Sequence, residues 1–159
     1  MADKWTEPLR REHQGLAQRL VDLEAALDRL ASGPQADVTD NLQSGDDFFQ
    51  NILKHHAHWE EHHLYPAADE VVREHGTATG PMIAVHRELV KLLDEYQAAV
   101  TDLARHPGDA RLTDRARVLG YQIIAIVRVH FHEEDVLLDA LDEHWPADRR
   151  GEVLAHHPH

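Results

Sequence analysis

The chain has 159 residues, 42% of them hydrophobic, and a formal net charge of −13 from 29 acidic and 16 basic side chains. That size fits one domain over 1–159, and the acidic surface it implies repels nucleic-acid backbones and anionic membranes, so neither is an expected partner. There is no cysteine, which excludes disulfides, thiolate ligands, thiol catalysis and iron–sulfur clusters and leaves nitrogen and oxygen as the only metal donors. The opening MADKWTEPLRREHQ lacks the apolar core of a signal peptide and no run is long enough to span a bilayer, so the expected location is the cytoplasm.

The first amphipathic segment is expected from about Glu7 to Ala31, with Leu9, His13, Leu16, Leu20, Leu23, Leu27 and Leu30 stepping by four and three along one seam. Gly33 and Pro34 stop it, and Thr39 or Asp40 is placed to cap the next helix. That second helix carries Phe49, Leu53, His56, Glu60, His63 and Ala67 on one stripe and is expected to end near His75 and Gly76. Pro81 opens the third, whose seam of Met82, His86, Leu89, Leu93, Tyr96, Val100 and Leu103 repeats the spacing of the first. The stretch from His106 to Gly108 closes it. A fourth helix follows with Leu119, Ile123, Val127, His130, Glu134, Leu137 or Leu138, and Leu141 inward. After Trp145 and Pro146 a short, frayed tail is expected over 146–159. No segment alternates with period two, so the fold class is all-α, an up-down-up-down four-helix bundle over about 7–145.

Two phrases of the form His-x-x-x-Glu stand out, His56 to Glu60 and His130 to Glu134. Each places an imidazole and a carboxylate one turn apart on an apolar face, which is costly unless something binds them. From His13 to the end of its helix is about 18 residues and from the start of the second helix to His56 about 16; the two later intervals are each about 20, so at 1.5 Å per residue all four histidines share one level. Four imidazoles and two carboxylates exceed what one tetrahedral zinc takes and suit two six-coordinate ions bridged by Glu60 and Glu134, with His13, His56, His86 and His130 as terminal ligands. Without thiolates the balance favours iron, with a position left for water, oxide, hydroxide or a dioxygen-derived ligand.

These residues carry a resemblance. REHQGL around His13, HAHWEEHHLYP from His56, AVHREL around His86 and HFHEEDVLL from His130 resemble, in this order, a hemerythrin-like (HHE cation-binding) domain over roughly Leu9 to His144. The resemblance implies a four-helix bundle with two non-haem iron ions, oxo- or hydroxo-bridged, that binds or reacts with dioxygen, peroxide or nitric oxide. The oxygen carriers of that family place a second histidine four residues after the third-helix ligand, where this chain has Val90, and space the last carboxylate five residues after its histidine rather than four. His63, in Glu60-x-x-His63, is a further candidate ligand.

The ordinary readings stand beside these. A lone seam histidine is more often a hydrogen-bonded core residue, and an exposed i to i+4 pair contributes only a few tenths of a kcal/mol. His55, His58, His62, His132, His144 and the tail histidines read as surface, with His58 and His62 spaced to take adventitious zinc or nickel. Trp59 and Tyr65 flank the site and read as packing residues, Tyr65 also being placed to become a ligand or electron relay. A sensor or storage module, or a bundle stapled by structural zinc, are the alternative functions.

Overall fold

The computed structural model describes residues 4–30, 32, 36–72, 79–155 and 157. Helix α1 (Glu7–Leu30) buries the whole expected seam, Leu9 through Leu30, with Ala26 added. Helix α2 runs over 36–72 as one rod. It is α-helical at Ala36–Phe48, π-helical at Phe49–Leu53, α-helical at Lys54–Trp59, π-helical at Glu60–Leu64 and α-helical again at Tyr65–Val72. The backbone stays helical across each junction, with φ −63° and ψ −38° at Lys54 and φ −66° and ψ −39° at Tyr65. Helix α3 (Gly80–Arg105) has Pro81 in its first turn. Helix α4 (Ala110–His144) is capped by Asp109, whose carboxylate accepts from the backbone N–H of Arg111 and Leu112. The turn between them uses Gly108 at φ +91°, a left-handed conformation that a side chain would strain.

Two expectations are corrected. Thr39 and Asp40 do not cap α2 but lie inside it, because the helix already begins at Ala36; Thr and Asp favour caps and turns but are tolerated inside a helix that buries apolar side chains such as Leu42 against its neighbours. The tail does not fray throughout either. A 3₁₀ turn (Ala147–Arg149) leads into a short α5 (Arg150–Leu154), which buries Val153 beside Trp145. Arg149 lies 4.5 Å from the Trp145 ring centre and pairs with Glu70 of α2, which fastens this segment to the bundle. The expected end of α2 at His75 and Gly76, and of α1 at Ala31, lie outside the described residues.

The four long helices pack in a ring, α1 against α2, α2 against α3, α3 against α4 and α4 against α1. Helix α1 approaches α4 so closely that a Cβ on Gly120 would sit 2.5 Å from Leu27 Cδ1. The two helix hairpins repeat one another in detail. Thr6, just before α1, bonds through its N–H and hydroxyl to Asp142 at the end of α4 (3.0 and 2.7 Å). Thr79, just before α3, bonds to Asp69 near the end of α2 in the same way (3.3 and 2.7 Å). Each threonine is buried, is followed two residues later by proline, and stands seven residues before a seam histidine.

The apolar core is split into two clusters. One gathers residues such as Leu16, Leu53, Leu89 and Val127; the other gathers Leu9, Leu64, Met82 and Leu137. Between these flanks in every helix lies His13, His56 with Glu60, His86, or His130 with Glu134. One polar layer therefore crosses an otherwise apolar bundle at the level expected from helix arithmetic.

Candidate metal centre

All six of these residues are buried, none exposing more than 5% of its surface. A charge there is stable only if it is compensated by other groups in the layer. Their ligand atoms form two groups of four, each within 4.8 Å of one another: His13, His56, Glu60 and Glu134, and Glu60, His86, His130 and Glu134. Both carboxylates belong to both groups. In the first, Glu60 Oε1 lies 3.2 Å from His13 Nε2 and 2.9 Å from His56 Nε2, and Glu134 Oε2 lies 3.6 Å from His13 Nε2. In the second, Glu134 Oε1 lies 3.1 Å from His130 Nε2, Glu60 Oε2 lies 3.5 Å from His86 Nε2, and the two imidazole nitrogens are 2.7 Å apart.

Several of these contacts are close without being hydrogen bonds. His56 Nε2, Glu60 Oε2 and Glu134 Oε2 are fully buried and have no hydrogen-bond partner among the described residues. Buried polar atoms are ordinarily satisfied, and here the unsatisfied ones belong to groups that converge on two shared points. Imidazole and carboxylate together suit iron, manganese or zinc, and shared carboxylates suit a pair of ions. The residues fit a dinuclear centre.

Two further carboxylates orient the rings, a role that sequence reasoning gave to neither. Glu12 Oε1 lies 3.1 Å from His56 Nδ1, and Glu61 Oε1 lies 2.9 Å from His86 Nδ1. A carboxylate on Nδ1 places the ring proton there and turns Nε2 inward as a donor to metal. Each acid is adjacent in sequence to a residue of the layer, Glu12 to His13 and Glu61 to Glu60, yet serves the histidine of another helix. The adjacency was the available signal. Glu12 is also bonded to His157, whose ring meets Trp59 edge-on at 4.7 Å, so this tail histidine is docked over the site and not a free surface group.

The second π turn decides two other positions. One extra residue in a turn sets everything after it back by roughly 100°. His63, the further candidate, is thereby partly exposed beside Trp59 (ring centroids 6.0 Å apart) and belongs to neither ligand group. Tyr65 takes the inward direction instead. Its hydroxyl donates to Glu134 Oε1 and lies 3.2 Å from His86 Nε2 and 3.3 Å from His130 Nε2. Phe131 covers the other side, stacked on His13 at 4.6 Å. Val90 is exposed on the outside of α3.

The electrostatics of the layer follow from crowding. Burial works to lower the His56 pKa, but the Glu60 and Glu12 carboxylates outweigh it and hold the ring up to about 10. Burial likewise works to raise Glu60, yet the His56 charge and the surrounding imidazoles hold it well below the ordinary carboxylate range. Glu12, against its own desolvation, is brought down to about 2 by His157 and His56. Tyr65 is driven up by burial and then by Glu60 and Glu134, so the phenol keeps its proton.

Residues 6–141 match the family described as Hemerythrin HHE cation binding domain. No curated protein and no solved structure matches the chain. The matched span starts at the Thr6 clasp and takes in every residue of the polar layer, and the chain belongs to the hemerythrin HHE cation-binding family.

Proposed function

We propose that this chain is a non-haem di-iron protein that binds or reacts with dioxygen, peroxide or nitric oxide. The observation that carries the reading is the sharing of Glu60 and Glu134 between two ligand groups. His13 and His56 would hold one ion and His86 and His130 the other, with the two carboxylates spanning both. The Tyr65 oxygen stands 3.2 and 3.3 Å from two imidazole nitrogens, close to the roughly 3 Å that separates adjacent ligands of one ion, and is proposed as a further donor on that side. When bound, paired iron supplies one-electron chemistry and coordination positions that the protein leaves open.

The surroundings favour a small, uncharged ligand. The layer is enclosed above and below by apolar clusters, so a bulky or ionic substrate would meet a large desolvation cost. Glu12 and Glu61 hold the rings of His56 and His86, and Phe131 stacks on the His13 ring. The test is metal content and optical spectrum of protein purified without a nickel column from iron-supplemented cells. Two irons per chain, with near-ultraviolet absorption that bleaches on reduction and responds to oxygen, peroxide or nitric oxide, is the expected result. Stoichiometric zinc from the same cells would overturn the reading in favour of a structural staple.

A further inference from the structure

The outer face of α2 carries donors that the buried layer does not use. The phrase HWEEH runs from His58 to His62 and sets two exposed histidines one turn apart. Their ring centroids are 4.0 Å apart and the planes are tilted by 44°. His62 Nδ1 donates to the backbone carbonyl oxygen of His58 at 2.7 Å. A carbonyl oxygen only accepts, so this bond fixes the ring proton on Nδ1 and leaves the His62 Nε2 lone pair directed away from the helix. One ring nitrogen anchored and the other free is the preparation of a metal-ligating imidazole. A second imidazole one turn away supplies the chelate, as paired histidines at this spacing do on zinc-binding helices.

The placement of the pair adds a second observation. His58 lines a cavity of about 540 Å³ between α2 and α3 that also reaches Glu61 and His86. Glu61 is half-buried and already bonded to His86 Nδ1, so the cavity runs from an exposed imidazole, past a carboxylate, to a ring of the buried layer. On its walls Lys54 and Lys91 are paired with Asp94 and Glu88, and Glu61 with His86. The whole chain carries a net charge of −13, which draws divalent cations toward the surface.

We propose that His58 and His62 form a second metal site, on the surface, for one divalent transition ion, placed at the mouth of the groove through which ions reach the buried layer. The loading role rests on the di-iron reading above; the site itself does not. Ni²⁺ prefers imidazole nitrogen and serves as the probe. Calorimetric titration of Ni²⁺ into the iron-loaded full chain is expected to show an ion that His58→Ala, His62→Ala or both weaken by about tenfold or more, whereas His144→Ala does not. Both histidines are exposed, and far-ultraviolet circular dichroism checks that the variants remain folded. Equal Ni²⁺ affinity in the folded double variant overturns the site. For loading, metal-free protein is mixed with Fe²⁺ in the absence of oxygen, freed of unbound iron at intervals and its iron content measured; the double variant is expected to reach the same final iron content several-fold more slowly. Equal uptake rates overturn the loading role. Failure of the unaltered chain to take up iron at all would count against the di-iron reading, and the Ni²⁺ titration, repeated on the metal-free chain, would still decide the surface site.

Discussion

Replacing Tyr65 by phenylalanine removes one oxygen atom from the most enclosed part of the molecule. Tyr65 exposes 1% of its surface and Glu134 none, and the phenol makes the one hydrogen bond to Glu134 among the described residues. Phenylalanine fills the same volume, so no cavity opens and the loss falls on a buried carboxylate deprived of its donor. A hydrogen bond to a charged group is worth about 1.5–3 kcal/mol. At about 2–4 °C per kcal/mol for a chain of this size, metal-free Tyr65→Phe should melt roughly 3–12 °C lower than the unaltered protein. Thermal unfolding of chelator-treated samples, followed by far-ultraviolet circular dichroism, measures this directly. In iron-loaded samples the same substitution should weaken the ion held by His86 and His130 and abolish any visible phenolate-to-ferric absorption. A metal-free melting temperature within about 1 °C of the parent would refute the bracing role, and unchanged iron affinity and spectrum would refute the ligand role.

Glu12→Gln should weaken the ion held by His13 and His56 by about 10–100-fold while sparing its neighbour, and Glu61→Gln should do the reverse; stepwise removal by a chelator distinguishes the two, and equal loss from both positions would contradict the pairing. In metal-free protein, His56 is held at about 10 against an ordinary 6.5, so its contribution to stability is whole below 6.5 and is lost as pH rises through 10. Glu12 is held at about 2 against 4.5, so its contribution is whole above 4.5 and is lost as pH falls through 2. Melting temperatures should therefore plateau between these ordinary values and fall on the alkaline side, a fall that iron loading should abolish by taking His56 as a ligand. Gly120→Ala should destabilise the bundle, because the new Cβ would lie 2.5 Å from Cδ1 of the fully buried Leu27, and overpacking of about 1–3 kcal/mol exceeds a helix-propensity gain of about 1 kcal/mol. In a Leu27→Ala background the same change should become neutral or stabilising in denaturant unfolding; additive losses would show that the clash is not its cause.

The bundle was legible because each long helix faces water on one side and the core on the other. The seams of α1 and α3 follow an undisturbed four-and-three rhythm, and every position expected inward in α1 is buried. The common level of the four histidines was legible for the same reason, since helix rise is uniform and the connecting segments are short. What escaped was information that hydrophobic period does not carry. The Glu12 and Glu61 partners and the docking of His157 depend on contacts between segments distant in sequence, and each of these side chains reads as solvated in its own segment. The Thr6–Asp142 and Thr79–Asp69 clasps were visible in principle, as a repeated Thr-x-Pro seven residues before histidine.

The π turn at Glu60–Leu64 explains why the two halves of the centre differ. In α4 the interval from Glu134 to the clasp residue Asp142 is eight positions; in α2 the interval from Glu60 to Asp69 is nine. The clasps fix both ends of the comparison, so the extra residue of α2 has to be absorbed between carboxylate and clasp, and the wider turn absorbs it there. Four residues after Glu134 comes Leu138, which is apolar; the equivalent position in α2, displaced by one, is Tyr65. A straight α2 keeping His56 and Glu60 inward would aim His63 toward the layer and swing Tyr65 away. The inserted residue thus exchanges an imidazole for a phenol beside His86 and His130, while the His13 and His56 side has no matching oxygen. Deleting one residue from the π turn, for example His62, shortens the interval from Glu60 to Asp69 to the eight positions of α4, so the helix should straighten with the Asp69 clasp and Tyr65 still in register and the Tyr65-dependent absorption retained; loss of that absorption in the folded variant would refute the insertion reading.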